Sequence, residues 1–267
     1  MVSSSLGLVD SHCHLNYLFE KDHVAQLPAV LKRANDKGVH HFLCIAVDIA
    51  RIDEVLSIAH AFKQVKASVG VHPCDVTKTP KDTMAILTEH AQSDEVVAIG
   101  ETGLDYYHEE GLDKALQHTY FSQQIHLSMA VNKPLIVHTR SAREDTISIL
   151  QAEGKYKARG VLHCFTETLE MAKAALDLGF YISFSGIITF KNAESIREVC
   201  KYCPMDRILV ETDAPYLSPV PFRGKPNEPS YVHYVASSVA KIKNLSYEKV
   251  VSQTTENVQT LFGWPCD

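Results

Sequence analysis

The chain has 267 residues, is 45% hydrophobic and carries a formal net charge of −6. Its apolar content suffices for one large core, and an α/β barrel commonly reaches this length as a single domain, here spanning 1–267. The acidic balance excludes a broad basic surface that coats nucleic acid, so a polyanionic substrate has to be held locally by metals and a few basic side chains.

Strand-like and helix-like segments alternate from end to end. Leu6-Gly7-Leu8-Val9-Asp10 reads as a buried strand running into Ser11-His12-Cys13-His14. Val24 to Lys37 carries Leu27, Val30, Leu31 and Ala34 at helical spacing and stops at Gly38, a C-cap signal. His41 to Val47 is a second strand, and Ile49 to Lys63 a helix with Ile52, Val55, Leu56 and Ala59 on one face. Ala67 to Val71 is the third strand, ended by His72-Pro73, and Thr79-Pro80 predicts a helix start. Val96 to Gly100 is the fourth strand, stopping at Glu101, and Asp113 to Val131 is the longest helical pattern. Pro134 opens the fifth strand, which ends at His138; Glu144 to Glu153 is helical; Gly160-Val161-Leu162 is the sixth strand and ends at His163. A helix over Leu169 to Leu178 closes at Gly179, and Phe180 to Phe184 is the seventh strand. A short helix over Ala193 to Cys200 precedes the eighth strand, Ile208-Leu209-Val210, which leads into Glu211-Thr212-Asp213. Helices over Tyr231 to Lys243 and Tyr247 to Phe262 finish the chain.

Eight strands separated by helices predict a (β/α)8 barrel, a parallel sheet closed on itself. A doubly wound open sheet alternates in the same way, but it gathers its site at one switch point, whereas a barrel collects one face from all its strands. Here strands 1, 3, 4, 5, 6 and 8 all end in candidate site residues, which favours the barrel. Internal repeats, low-complexity tracts and interdomain linkers are not evident.

Those strand ends carry the chemistry. In an extended segment residues two apart face the same way, so His12 and His14 can reach one cation. Glu101 ends a buried strand and needs a partner; it is either in a salt bridge or holds two cations about 4 Å apart with its two oxygens. His138 and His163 would singly pass for core histidines, but at equivalent ends of consecutive strands they fit a second metal's ligands. Asp213 is the best catalytic candidate, because a carboxylate beside a metal and its water can also accept the water's proton. Glu211 can orient a metal-binding histidine, bind a further cation, contact substrate or form a buried ion pair. His72 can contact substrate or a metal, or bond its own loop. Arg140, Arg143, Lys191, Arg223 and Lys225 follow strand ends, where they can neutralise phosphates. Tyr106 and Tyr107 are either a stacking platform or loop packing. Cys200 and Cys203 form an isolated C-x-x-C, read as incidental.

Seven scattered cysteines give no disulfide framework and fit a reducing compartment. The start Met1-Val2-Ser3-Ser4-Ser5 lacks a basic region ahead of an apolar stretch, and no apolar run is long enough to span a bilayer. A soluble cytoplasmic protein with no membrane partner is expected.

At these residues the chain resembles the TatD family of metal-dependent deoxyribonucleases, a branch of the amidohydrolase-like barrels. The matching segments are Asp10-Ser11-His12-Cys13-His14, Gly70-Val71-His72-Pro73, Ile99 to Asp105, His138-Thr139-Arg140, His163-Cys164-Phe165, Glu211 to Pro215 and Arg223 to Pro229. They occur in the family's order and cover most of the chain. The resemblance implies a barrel with two divalent metal ions. One is held by His12, His14, Glu101 and Asp213, the other by Glu101, His138 and His163. It also implies Mg²⁺- or Mn²⁺-dependent cleavage of DNA, often from the 3′ end, although four histidines suit Zn²⁺ or Mn²⁺ on ligand preference. The wider superfamily often bridges its metals with a carboxylated lysine. Here the corresponding strand end is Glu101, and Lys133 lies at the wrong end of the barrel. The expectation is therefore a deoxyribonuclease, a 3′–5′ exonuclease on single-stranded DNA or frayed ends, with no obligate protein partner. The alternatives are a metal-dependent amidase or lactonase and a non-catalytic metal-stabilised scaffold.

Overall fold

The apolar runs form parallel strands and the helical-period segments lie across them in the computed structural model, which describes residues 7–108 and 113–266. The start Met1 to Ser5, and Leu6 of the first expected strand, lie outside the described residues. Strands β1 (Leu8–Cys13), β2 (Val39–Cys44), β3 (Val65–Val69), β4 (Val96–Asp105), β5 (Leu135–Arg140), β6 (Gly160–Leu162), β7 (Tyr181–Phe184) and β8 (Ile208–Val210) pair in chain order, each parallel to the next. A doubly wound sheet would reverse its order at a switch point; this order runs through without reversal and brings β8 back beside β1. There the Ser11 hydroxyl donates to Val210 O at 2.9 Å, Asp213 N–H to His12 O at 2.9 Å and His14 N–H to Ala214 O at 2.8 Å. The fold is a (β/α)8 barrel.

The helices are α1 (His23–Asn35), α2 (Ile52–Ala61), α3 (Thr83–His90), α4 (Lys114–Ala130), α5 (Arg143–Gly154), α6 (Leu169–Asp177), α7 (Glu194–Tyr202), α8 (Val232–Lys243) and α9 (Tyr247–Phe262). Among the described residues no helix is long and apolar enough to cross a membrane. The expected helix at Thr79-Pro80 starts later, at Thr83, because Pro73–Lys78 winds instead into a 3₁₀ turn and Thr79 is extended. Strand β4 does not stop at Glu101. Residues Thr102 to Asp105 go on pairing with Val137 to Arg140 of β5, so both strands carry their ligands in mid-run rather than at the end. Gly103 makes this possible: a Cβ there would lie 2.0 Å from His138 O, and its φ of +130° suits glycine.

Period-two alternation divides the core into two layers. On β2, Phe42 and Cys44 face the surrounding helices while Leu43 and Ile45 face inward. The inner layer, including Val9, Leu43, Val97, Ile136, Val161 and Leu209, meets Val258, Leu261, Phe262 and Trp264 from the end of the chain. Helix α9 thus closes one mouth of the barrel. Its Thr255 and Asn257 bond Gly7 O and Ile208 O, at the starts of β1 and β8, each at 2.8 Å. With that mouth sealed, chemistry is left to the opposite end, where the strands finish.

Candidate metal centre

Glu101 is the meeting point of the barrel's C-terminal face. Its Oε1 lies 2.8 Å from His163 Nε2, 3.1 Å from His138 Nδ1 and 3.4 Å from His72 Nε2. Its Oε2 lies 3.4 Å from His12 Nε2 and 4.0 Å from His14 Nε2. Asp213 Oδ1 sits on the same side, 3.5 Å from His12 Nε2 and 3.3 Å from His14 Nε2. Six residues, from β1 and β5 and from just after β1, β3, β6 and β8, therefore surround one carboxylate of β4. A register shift between Asp10 and Cys13 lets Val9 and His12, three apart, both point inward. After β8, Asp213 adopts a left-handed φ of +59°, held by its N–H on His12 O, which turns its carboxylate into the cluster.

The far side of each ring shows what the near side is for. His14 Nδ1 donates to Ile45 O at 3.3 Å, His163 Nδ1 to Glu211 Oε1 at 3.2 Å, and His138 Nε2 to Asp105 Oδ2 at 3.0 Å. Carbonyl and carboxylate oxygens only accept, so each bond fixes a proton on the outer nitrogen and leaves the inner one to present a lone pair. His12 is buried with neither ring nitrogen hydrogen-bonded, although Nε2 points between Glu101 and Asp213. An unsatisfied buried imidazole nitrogen is costly unless something binds it. These four imidazoles and two carboxylates fit divalent cations. His72 differs. Its Nδ1 accepts from Cys74 N–H at 3.2 Å, so the neutral ring carries its proton on Nε2, toward Glu101. With the ring neutral it is a donor at the edge of the cluster; with Glu101 and His138 it also forms a group that could hold a metal ion.

Electrostatics follow from burial and this crowding. Burial would raise the Glu101 pKa, but the charges of the surrounding imidazoles, His163 and His72 foremost, hold it well below the carboxylate range. Burial would lower His163, yet Glu101 and Glu211 carry it well above an ordinary imidazole. His138 and His14 are raised against their burial, by Asp105 and Glu101 and by Asp213 respectively. Burial and the neighbouring His163 lower His12, and burial and His138 bring His72 down to about 4. Protons and cations thus compete for the same lone pairs, so cation binding releases protons and strengthens as pH rises.

Two buried acids that drew no role from the sequence support this arrangement. Asp105 is fully buried and holds His138. Asp10 accepts Thr212 N–H at 2.8 Å and lies 2.5 Å from Thr212 Oγ1, tying β1 to the chain beyond β8; burial pushes its carboxyl up to about 8. The available signal was a carboxylate inside each apolar run, which needs a partner once buried. Glu211, fully buried, lies behind His163 rather than facing the open side, and its Oε1 also accepts Cys164 N–H at 2.9 Å. Substituting Glu211→Gln is expected to weaken metal affinity about 10- to 100-fold, because His163 loses its charged orienting partner. Metal titration of the stripped protein checks this, and an unchanged affinity would remove Glu211 from the site.

The arginines are exposed but not free of partners. The Arg140 guanidinium lies 3.8 Å from the centre of the exposed Tyr107 ring, and that of Arg223 3.7 Å from the centre of Phe190, beside the exposed Lys191. Lys225 is exposed on the same loop as Arg223. Arg143 is engaged by the buried carboxylate of Glu167. Tyr106 is anchored, its hydroxyl donating to Asp145 at 2.6 Å, so of the two tyrosines Tyr107 is the one that offers a surface. Lys133 binds Ala91 O and Ser93 O, before β4 begins, away from Glu101. Cys200 and Cys203 are buried thiols at the end of α7.

A family profile described as "TatD related DNase" matches residues 9–263. The chain belongs to the TatD family. Among its relatives, the Escherichia coli K12 protein named "Uncharacterized metal-dependent hydrolase YcfH" is 45% identical over 96% of this chain and 95% of its own length. The Enterobacter lignolyticus protein named "3'-5' ssDNA/RNA exonuclease TatD" is 32% identical over 92% and 94%. Of solved structures, the TatD homologue YjjV of Escherichia coli superposes with a TM-score of 0.90 at 26% identity, covering 97% of this chain and 98% of that one.

Proposed function

We propose that this TatD member is a metal-dependent hydrolase that cleaves phosphodiester bonds of DNA, as a deoxyribonuclease working 3′ to 5′ on single-stranded or frayed ends. The observation that carries the reading is the central Glu101, each of whose oxygens faces its own set of imidazoles. That arrangement supports two cations bridged by one carboxylate, with His12, His14 and Asp213 on one side and His138 and His163 on the other. When bound, such ions supply Lewis acidity toward a phosphate oxygen and make a water acidic enough to attack. Mg²⁺ and Mn²⁺ follow from the family, and the four imidazoles equally suit Zn²⁺.

The chain's own groups do the rest. Burial is outweighed at Asp213 by His14, His12 and His163, which lower its pKa, so it is ionised at neutral pH and ready to take the proton of an attacking water. His72 Nε2–H faces the same space and can donate to a substrate oxygen. Arg140, Lys191, Arg223 and Lys225 hold the flanking phosphates without reading bases, which makes base preference weak. The exonuclease name of one relative supports the 3′–5′ polarity and leaves RNA as a second substrate. Seven thiols without a disulfide support a cytoplasmic setting.

Digestion of end-labelled single-stranded DNA by metal-stripped protein, across a panel of divalent cations, tests this. Stepwise shortening from the 3′ end with at least one cation is expected; no cleavage with any of them would overturn the reading. An amidase or lactonase would use the same centre without the rim cations. The Arg223→Ala variant separates the two: about ten-fold higher KM on DNA with kcat little changed is expected, corresponding to about 1.4 kcal/mol of phosphate binding. An unaltered KM would count for the carbonyl substrate.

A further inference from the structure

A second group of metal-type ligands lies beside the centre, sharing Asp105 with it but adding Cys74 and His108, to which the reaction gives no role. Cys74, just after β3, and Asp105 and His108, at and after the end of β4, bring a thiol, a carboxylate and an imidazole together, with their ligand atoms all within 4.8 Å of one another. His108 Nδ1 faces both partners, 2.9 Å from Asp105 Oδ2 and 3.8 Å from Cys74 Sγ. We propose that Cys74, Asp105 and His108 form a third metal site, selective for a thiolate-binding ion such as Zn²⁺ and separate from the Glu101 centre.

The distances are those of a tetrahedral site. Bonds of about 2.3 Å to sulfur and about 2.0–2.1 Å to nitrogen or oxygen give edges of about 3.6 Å between S and N and about 3.3 Å between N and O. The two edges at His108 Nδ1 need only a few tenths of an ångström of adjustment, and the third lies within 4.8 Å. Its backbone is already fixed: Asp105 Oδ1 accepts Tyr107 N–H at 2.9 Å and His108 N–H at 3.1 Å, and Cys74 N–H is held by His72. The His108 side chain is 54% exposed while that of Asp105 is 0% exposed, so an ion can arrive from solvent and keep a fourth position for water. The ligand set sorts the metals. A sulfur donor suits Zn²⁺ or Co²⁺ and not Mg²⁺, which demands oxygen. A reactive-thiol reading of Cys74 fails, because burial and the charges of Asp105 and Asp75 push its pKa up to about 12 and keep it protonated until a cation displaces the proton.

Occupancy would connect the loops after β3 and β4. Asp105 Oδ2 is shared with His138 Nε2, and Cys74 N–H with His72, so the third ion sits one bond away from two residues of the centre. The test is metal content and not activity, so failure of the nuclease reading leaves it intact. Purified protein, stripped and reloaded with Zn²⁺, is measured by mass spectrometry. The wild type is expected to hold one more ion per chain than Cys74→Ser or His108→Ala. Reloaded with Co²⁺, the wild type and Cys164→Ser are expected to show near-ultraviolet thiolate-to-cobalt absorption, which Cys74→Ser loses. Thermal melting in chelator confirms that each variant is folded. Equal zinc stoichiometry in wild type and Cys74→Ser, or a cobalt band that survives in Cys74→Ser, overturns the proposal.

Discussion

Replacing Glu101 by glutamine is expected to abolish DNA hydrolysis, lowering kcat by about 10³-fold or more, the scale of removing a group that organises transition-state charge. Glu101 is 3% exposed and, alone among the described carboxylates, faces His12 and His14 through one oxygen and His138 and His163 through the other. Glutamine keeps the shape but replaces one charged oxygen with an amide NH₂, which repels a cation. Without a charge shared between the two sides, the mutual repulsion of two divalent ions is less well offset, and at least one is expected to be lost. The fold survives, because His163 sheds its proton once the charge that raised its pKa is gone. Turnover of single-stranded DNA, metal content and a far-ultraviolet spectrum of the variant check this together. Wild-type cleavage by Glu101→Gln would end the bridging assignment.

Asp213→Asn is expected to lower kcat by about 10²- to 10⁴-fold, the usual contribution of a positioned general base, with KM for DNA little changed. Asparagine still offers an oxygen toward His12 and His14, so metal content is expected to fall far less than in Glu101→Gln. The pH profile gives the sharper sign. The Asp213 pKa is lowered, so in the wild type the base is already free across neutral pH and contributes no rise there. In the variant the proton must go to hydroxide, so log kcat is expected to climb with pH through that range. A variant with wild-type kcat, or one that loses rate only in proportion to lost metal, would make Asp213 a ligand and not a base.

The sequence carried the barrel because its signals are local. Buried strands such as Gly160–Leu162 and helices such as Tyr247–Phe262 have the lengths and periods that their own residues impose, and both formed at the expected residues. Where local signals misled, a distant segment had intervened. Val96 to Gly100 looked complete at Glu101 because a glycine and a carboxylate usually end a strand; β5 extends the pairing to Asp105. Thr79-Pro80 looked like a helix start, but the turn begun by His72 and Pro73 uses that stretch.

The candidate ligands were legible for a related reason. Histidines and acids inside apolar runs are expensive to bury, so their presence there announces a partner even when the partner is hundreds of residues away. Their donor types could be read from His12, His14, Glu101, His138, His163 and Asp213 alone. Which nitrogen faces which oxygen could not, since ring orientation depends on Ile45, Asp105 and Glu211, brought in from other strands. Only tertiary structure placed Glu211 behind His163, turned His72 into a donor, and set Cys74 against His108 across two loops. Periodicity and ligand type are properties of neighbouring residues, fixed as soon as the chain is written; convergence is a property of closure, decided when β8 returned to β1.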